Sequence, residues 1–191
     1  MSMNEAEIRA LVDGLVSAWN DRDIDRFMSY LDEAVVWDDP AMLYGPATGR
    51  AEVRRFAESV LRAFPDFSYR LREPICIAPT GTRCAVPWEI TATHTGYFDY
   101  LRLAPTGQAV TMRGVDLLEL AGTKVARVET LFNVLPAAEQ ALRLKPLARN
   151  RLARAALPWL QRCLAWWLRR TTGGRTAGRQ TTEGSITGAK R

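Results

Sequence analysis

Three aspartates and a single histidine set the proton chemistry this chain can offer. The segment VVWDDPAMLYG, residues 35–45, runs Val35, Val36 and Trp37 straight into Asp38, Asp39 and Pro40. An apolar strand that ends in two adjacent carboxylates and a proline has two readings. It is a charged surface turn, or one carboxylate enters a pocket and moves protons. Strand alternation sends Asp38 and Asp39 to opposite faces, so an inward Val35 and Trp37 imply an inward Asp39.

The third acid is Asp116, in QAVTMRGVDLLEL at 108–120. At period two it shares a face with Met112, Gly114, Leu118 and Leu120, opposite Arg113, Val115, Leu117 and Glu119. An unpaired carboxylate among apolar residues is expensive. Burial there raises its pKa and keeps it protonated, able to donate a hydrogen bond. The alternative is an acid bonded to a helix end or a tyrosine for stability alone. His94 follows Val86, Trp88, Ile90 and Ala92 on one strand face. Its titration range suits a proton shuttle, against the reading of a satisfied core histidine.

Helices followed by strands must position these groups. Asn4 with Glu7 forms a capping box before Ile8, Leu11, Val12, Leu15 and Trp19, which recur at helical spacing. A short helix follows Asp21 or Asp23 and buries Ile24, Phe27, Met28 and Leu31. A third spans roughly 50–64 and is stopped by Pro65. The period then changes to two over 67–78, 83–94, 108–120 and 124–133, with turns at PTGT, APTG and AGT. Pro87 predicts a bulge or an edge within its strand. This order is α+β: a strongly curved antiparallel sheet wrapped around three N-terminal helices, enclosing an apolar pocket. Trp19, Trp37, Phe56, Trp88 and Phe132 are core residues, and some of them suit a pocket for a flat polycyclic ligand.

Of the 191 residues, 47% are apolar, enough for a sizeable core. No run of 18 uncharged apolar residues predicts a membrane span, and the polar start MSMNEAEIRA does not read as a secretory signal. Cys76, Cys84 and Cys163 have no metal-ligand spacing, and one histidine excludes a histidine-built zinc site. A reducing, cytoplasmic setting is expected. The net charge of +5 divides sharply: 1–142 hold 14 basic and 20 acidic residues, 143–191 hold 12 basic residues and Glu183 alone.

The body resembles the nuclear-transport-factor-2-like superfamily of α+β cones. THTGYFDYLRLAPTGQAVTMRGVDLLEL (93–120) and DEAVVWDDP (32–40) are similar to the SnoaL-like polyketide cyclases and their relatives the ketosteroid isomerases, over about residues 4–145. The resemblance implies that Asp39, before Pro40, is a general base. It implies that Asp116 is a neutral acid donating to a developing oxyanion. It puts Leu15 where isomerases carry a tyrosine donor, and Thr130, with Glu129 beside it and Asn133 three residues on, where cyclases carry an aspartate. Neither catalytic set is complete.

The expectation is a cofactor-free enzyme working by acid and base on a hydrophobic, polycyclic small molecule, by cyclisation or isomerisation next to a carbonyl. Asp39 and Asp116 are its catalytic pair and His94 an accessory. Trp19, Trp37, Phe56, Trp88, Met112, Phe132 and Asn133 contact the ligand. A binding or scaffold protein without turnover and an epoxide hydrolase are the alternatives. Relatives pair through the outer sheet face, so a homodimer through Val115 and Leu117 is expected. The expected divisions are a cone domain over 1–145, a basic helical extension over 146–170 and a disordered tail over 171–191. Within 147–170, Leu160, Leu164 and Trp167 form a stripe flanked by Arg162, Arg169 and Arg170, which reads as a helix at an anionic membrane surface. A helix packed on the body or on a partner is the alternative. No nucleic-acid recognition motif accompanies the charge.

Overall fold

The protein is described by a computed structural model covering residues 3–72, 74–142, 158, 159 and 162. The chain divides into a unit ending at Leu144 and one beginning at Lys145. All regular elements discussed here belong to the first. The membrane-surface helix expected within 147–170 lies outside the described residues, apart from Pro158, Trp159 and Arg162, which are exposed. The tail expected over 171–191 lies wholly outside them. Among the described residues no helix is long and apolar enough to cross a membrane.

Helix α1, Glu5–Asn20, starts at the expected capping box, with Asn4 Oδ1 accepting from the Glu7 amide and Glu7 accepting from the Asn4 amide. Ile8, Leu11, Val12, Leu15 and Trp19 are buried along one stripe. Helix α2, Ile24–Ser29, is capped by Asp23 and buries Phe27 and Met28. Leu31 is buried too, but as the first residue of strand β1, Leu31–Asp38. After the short β2, Ala47–Thr48, helix α3 runs Arg50–Ala63 and buries Val53, Phe56, Ala57 and Val60. Strands β3 (Ser68–Leu71), β4 (Cys76–Ile77), β5 (Arg83–Thr93), β6 (Ala109–Ala121) and β7 (Lys124–Phe132) complete the sheet, and helix α4, Val134–Ala141, ends the unit.

The sheet order is β2-β1-β7-β6-β5-β3, with β4 also on β5. Every pair is antiparallel except β1 with β7, which run parallel. That pairing closes the end of the meander with a strand made about ninety residues earlier, a contact local periodicity does not encode. The segment expected as one strand over 67–78 is two short strands. The break lies opposite Pro87, whose carbonyl accepts from the Arg72 amide on that same side. Proline's missing N–H cannot return a bond to the Arg72 carbonyl, and the β3 ladder stops there; toward β6 the register runs through Pro87 without a bulge, on an interior strand.

The inner sheet face and the helices enclose the core. Trp19 packs on Phe27 and Phe67 at centroid separations of 4.8 and 5.5 Å. Trp37 lies 6.3 Å from Phe56. Trp19, Trp37, Phe56 and Phe67 also border an open space, where the site is found.

Candidate active site

The opening is an apolar cavity of about 300 Å³. Trp19, Trp37, Phe56, Trp88, Met112 and Phe132, all expected to touch a ligand, line it. So do Asp39, Asp116, Thr130 and Tyr69. Two further walls were not read from the sequence. The loop between β5 and β6 supplies Phe98, Leu101 and Leu103, held by a bridge between Phe98 and Leu103. Helix α4 supplies Val134, Ala137, Ala138 and Ala141. The helix is fixed by Gln140, whose side chain pairs with both the N–H and C=O of Thr111 at 2.8 and 3.1 Å. β7 ends opposite Gly114, so that stretch of β6 has an unpaired edge for Gln140 to satisfy.

Asp39 sits just past the end of β1, in the turn that Pro40 sets. Its Oδ1 accepts from the Ala41 amide at 2.7 Å, and its backbone carbonyl accepts from the Met42 amide. The residue keeps some solvent exposure at the mouth, yet protein surrounds most of the carboxyl. That enclosure pushes its pKa up to about 7; the Ala41 bond opposes the rise, and negative charge on Asp116, when that acid is ionised, and on Asp38 adds to it. Asp38 pairs in register with Glu129 and is not part of the lining.

Asp116 is buried on the inner face of β6, opposite Thr130 of β7. Its Oδ2 accepts a hydrogen bond from the Tyr69 hydroxyl at 2.9 Å. Burial raises its pKa; the tyrosine hydroxyl, Thr130 and the Trp88 indole beside it favour the charged form and only partly offset that. Its Oδ1 has no hydrogen-bond partner among the described residues, and neither Thr130 nor Trp88 closes a bond of good geometry to it. With Tyr69 donating to Oδ2, a protonated Asp116 carries its acid hydrogen on Oδ1.

Tyr69 is the residue sequence reasoning missed. It supplies a hydroxyl to Asp116 from β3. Asn20, the last residue of α1, holds it there: its side chain bonds both the N–H and the C=O of Tyr69, each at 2.8 Å. Burial, then the neighbouring Asp116, push the phenol well above its ordinary range, so it stays a donor. The only signal in the sequence was an inward tyrosine at period two with Phe67 and Leu71. Tyr69→Phe is expected to leave Asp116 Oδ2 unpaired and to cost about 1–3 kcal/mol of stability, measurable by denaturant unfolding. No loss would mean that the bond is not formed in solution.

Trp88 owes its place to Gly114, its register partner. A Cβ at Gly114 would meet Trp88 Cζ2 at 2.3 Å and the Leu131 carbonyl at 2.5 Å. The glycine lets the indole lie across β6. Gly114→Ala is expected to cost about 1–3 kcal/mol through overpacking, seen as a lower Tm. An unchanged Tm would show that the indole is free to move.

Two expected site residues fall outside the lining. His94 is fully buried, stacked on Phe64 at 5.0 Å, with Nδ1 3.2 Å from the Thr106 hydroxyl. Its strand face is as expected, but β5 ends at Thr93, and the next residue turns beneath the 95–107 loop instead of entering the cavity. Burial lowers its pKa, so the ring stays neutral at neutral pH. Asn133 is the N-cap of α4, its side chain accepting from the Leu135 amide. Glu129 is exposed, on the face opposite the buried Thr130. Among the described residues no group of His, Cys, Asp or Glu side chains is placed to hold a metal ion.

The fold has parallels among solved structures. AclR, a hydroxylase candidate from Streptomyces galilaeus, is 27% identical, with a TM-score of 0.62 over 74% of this chain and 100% of that one. A candidate SnoaL-like polyketide cyclase from Jannaschia sp. CCS1 is 19% identical, with a TM-score of 0.65 over 76% of this chain and 98% of that one. TerC, crystallised with polyporic acid, is 21% identical, with a TM-score of 0.57 over 71% and 98% of the two chains. No curated protein matches at a significant level. A sequence profile of the SnoaL-like domain matches residues 12–128, a span holding both Asp39 and Asp116. With more than half of its length matched, and the curved sheet and helices in place, the chain belongs to the SnoaL-like domain family, on the nuclear-transport-factor-2-like fold.

Proposed function

We propose that the protein is a cofactor-independent acid/base enzyme acting next to a carbonyl in a hydrophobic, polycyclic small molecule. The observation that carries this reading is the sharing of one apolar cavity by two unlike carboxyl groups. Asp39 is poised near neutrality at the mouth, and Asp116 is held neutral by burial deeper in. Asp39, ionised, removes a proton from the carbon beside the carbonyl. The carbonyl oxygen gains the negative charge, and Asp116 Oδ1–H donates to it. The resulting enolate either takes the proton back from Asp39 at another carbon, which is isomerisation, or attacks a second carbonyl in the same molecule, which closes a ring and leaves an alkoxide that takes the proton from Asp39. His94 and Asn133 serve structure in this scheme.

Thermal-shift screening of polycyclic ketones, enols and epoxides, followed by product analysis, tests the reading. Its pH signature is a kcat/KM that rises with pH through about 7 as Asp39 ionises. Ligands that bind and are recovered unchanged would leave a binding protein. That second reading is favoured by Leu15 and Thr130, which carry neither of the family's other acid and donor groups. Diol products from epoxides would assign the pair to water activation. The description of AclR as a hydroxylase candidate and the polyporic acid seen with TerC support a small organic ligand for this cavity.

The protein pairs as a homodimer through the outer sheet face. Val115 and Leu131 are register partners there, with Leu117 beside them, and Leu117 and Leu131 are exposed. Sedimentation at micromolar concentration should show dimers of a chain ending near Lys145. Monomers alone would exclude this.

A further inference from the structure

We infer that the rim of the cavity mouth is a docking surface for an anionic lipid bilayer, from which an apolar ligand enters the cavity directly. The inference rests on the cavity being a site for an apolar molecule, not on turnover.

Strand order gathers this rim at one end of the sheet. β1 and β7 run parallel, while β5, β6 and β7 alternate in direction. The turn after β1, the connection between β5 and β6, and helix α4 after β7 therefore leave the sheet at the same end. All three border the cavity: Pro40 and Ala41 from the turn, Leu101 and Leu103 from the connection, Val134 and Ala138 from the helix. The same three segments carry Leu43, Tyr44, Tyr97, Val134, Leu135 and Leu142, large apolar side chains between 44% and 81% exposed. The connections at the other end, 79–82 and 122–123, read PTGT and GT and carry none. Exposed apolar side chains gathered in one place mark an interaction surface.

Charge selects the occupant. Stretches 40–46 and 133–138 hold no charged residue. Asp99 is paired with Arg62 at 2.7 Å, Arg102 beside it is exposed, and α4 carries one acid, Glu139. Arg143 then follows Leu142 directly in the sequence, and 143–191 hold 12 basic residues against Glu183. Trp159, Trp166 and Trp167 stand among them, and tryptophan favours the membrane interface. An apolar rim continued by a strongly basic chain matches a bilayer. Apolar side chains enter the acyl boundary while cations meet anionic headgroups. A ligand dissolved in the hydrocarbon then reaches the mouth without crossing water.

The test mixes the full chain with vesicles of phosphatidylglycerol and phosphatidylcholine. Cosedimentation should show binding that weakens with added salt. Leu43→Ser together with Tyr44→Ser changes two exposed residues that do not line the cavity. The pair should weaken binding about 10-fold or more, because two large side chains no longer leave water. If that protein does not fold, Leu135→Ser asks the same question. Hydrogen exchange on the wild type gives a second reading. Vesicles should slow exchange at 41–46 and 97–103 and leave 79–82 and 121–123 unchanged. Slowing confined to 143–191, with unaltered binding by the folded variants, overturns the rim. Equal binding to phosphatidylcholine alone overturns the anionic surface. Absence of binding overturns the docking and leaves the cavity to its own ligand screen. Rim slowing by polyglutamate but not by vesicles overturns lipid in favour of an acidic protein. Rim slowing that grows with protein concentration in the absence of lipid overturns it in favour of a second copy.

Discussion

Asp39→Asn is expected to lower turnover by about 10²–10⁴-fold, the usual cost of losing a general base, while making the protein more stable at pH 8. The two effects have one origin. Asparagine keeps the acceptor that Ala41 uses but cannot take a proton from the substrate. In the wild type the folded carboxyl titrates near 7 against 3.8 for an ordinary aspartate, because enclosure disfavours its charge. The folded state thus binds the proton more tightly than the unfolded chain, and stability falls as pH rises from about 4 to about 7, then levels off. A gap of that size corresponds to at most about 4 kcal/mol. The partial exposure of Asp39 reduces the expectation to about 1–2 kcal/mol. Denaturant unfolding at pH 4 and pH 8 reads this directly: the variant should gain on the wild type at the higher pH only. Asp38→Asn, outside the lining, should change turnover little. Equal loss in the two variants, or none in either, would remove Asp39 from the role.

Asp116→Ala is expected to cost about 10²–10³-fold in turnover, the scale of losing one donor to a developing oxyanion. Asp116→Asn separates donation from acidity. The amide still accepts from Tyr69 and offers an N–H where the acid hydrogen was, so most of the rate should remain. Because burial raises the Asp116 pKa, the wild type keeps its acid form to higher pH than an ordinary aspartate and loses activity as that acid ionises. The Asn variant cannot ionise and should lose that falling limb. A pH–rate profile of the two proteins checks this. A falling limb that survives in the Asn variant would assign it to another group.

The sequence by itself determined the local elements and their inner faces. The Asn4–Glu7 box and Asp23 start their helices as the spacing requires, since these ends need side-chain partners wherever they sit. Period two put Asp116, Trp88 and Trp37 on the inner face, because alternation is a property of the strand alone. It also directed Asp39 inward on the same grounds. What it did not determine is which of these faces meet. The parallel β1–β7 pairing sets Asp39 and Asp116 at one cavity. Tyr69, 47 residues before Asp116, reaches it because β3 lies beside β5 and Asn20 grips its backbone. His94 keeps its predicted face and still leaves the cavity, since its strand stops at Thr93. Helix α4 becomes a wall of the cavity through Gln140 on the free edge of β6. Spacing along the chain records the direction of a side chain relative to its own element. The neighbour it meets depends on strand order, strand length and curvature, which are decided by burial and hydrogen bonding summed over the whole fold.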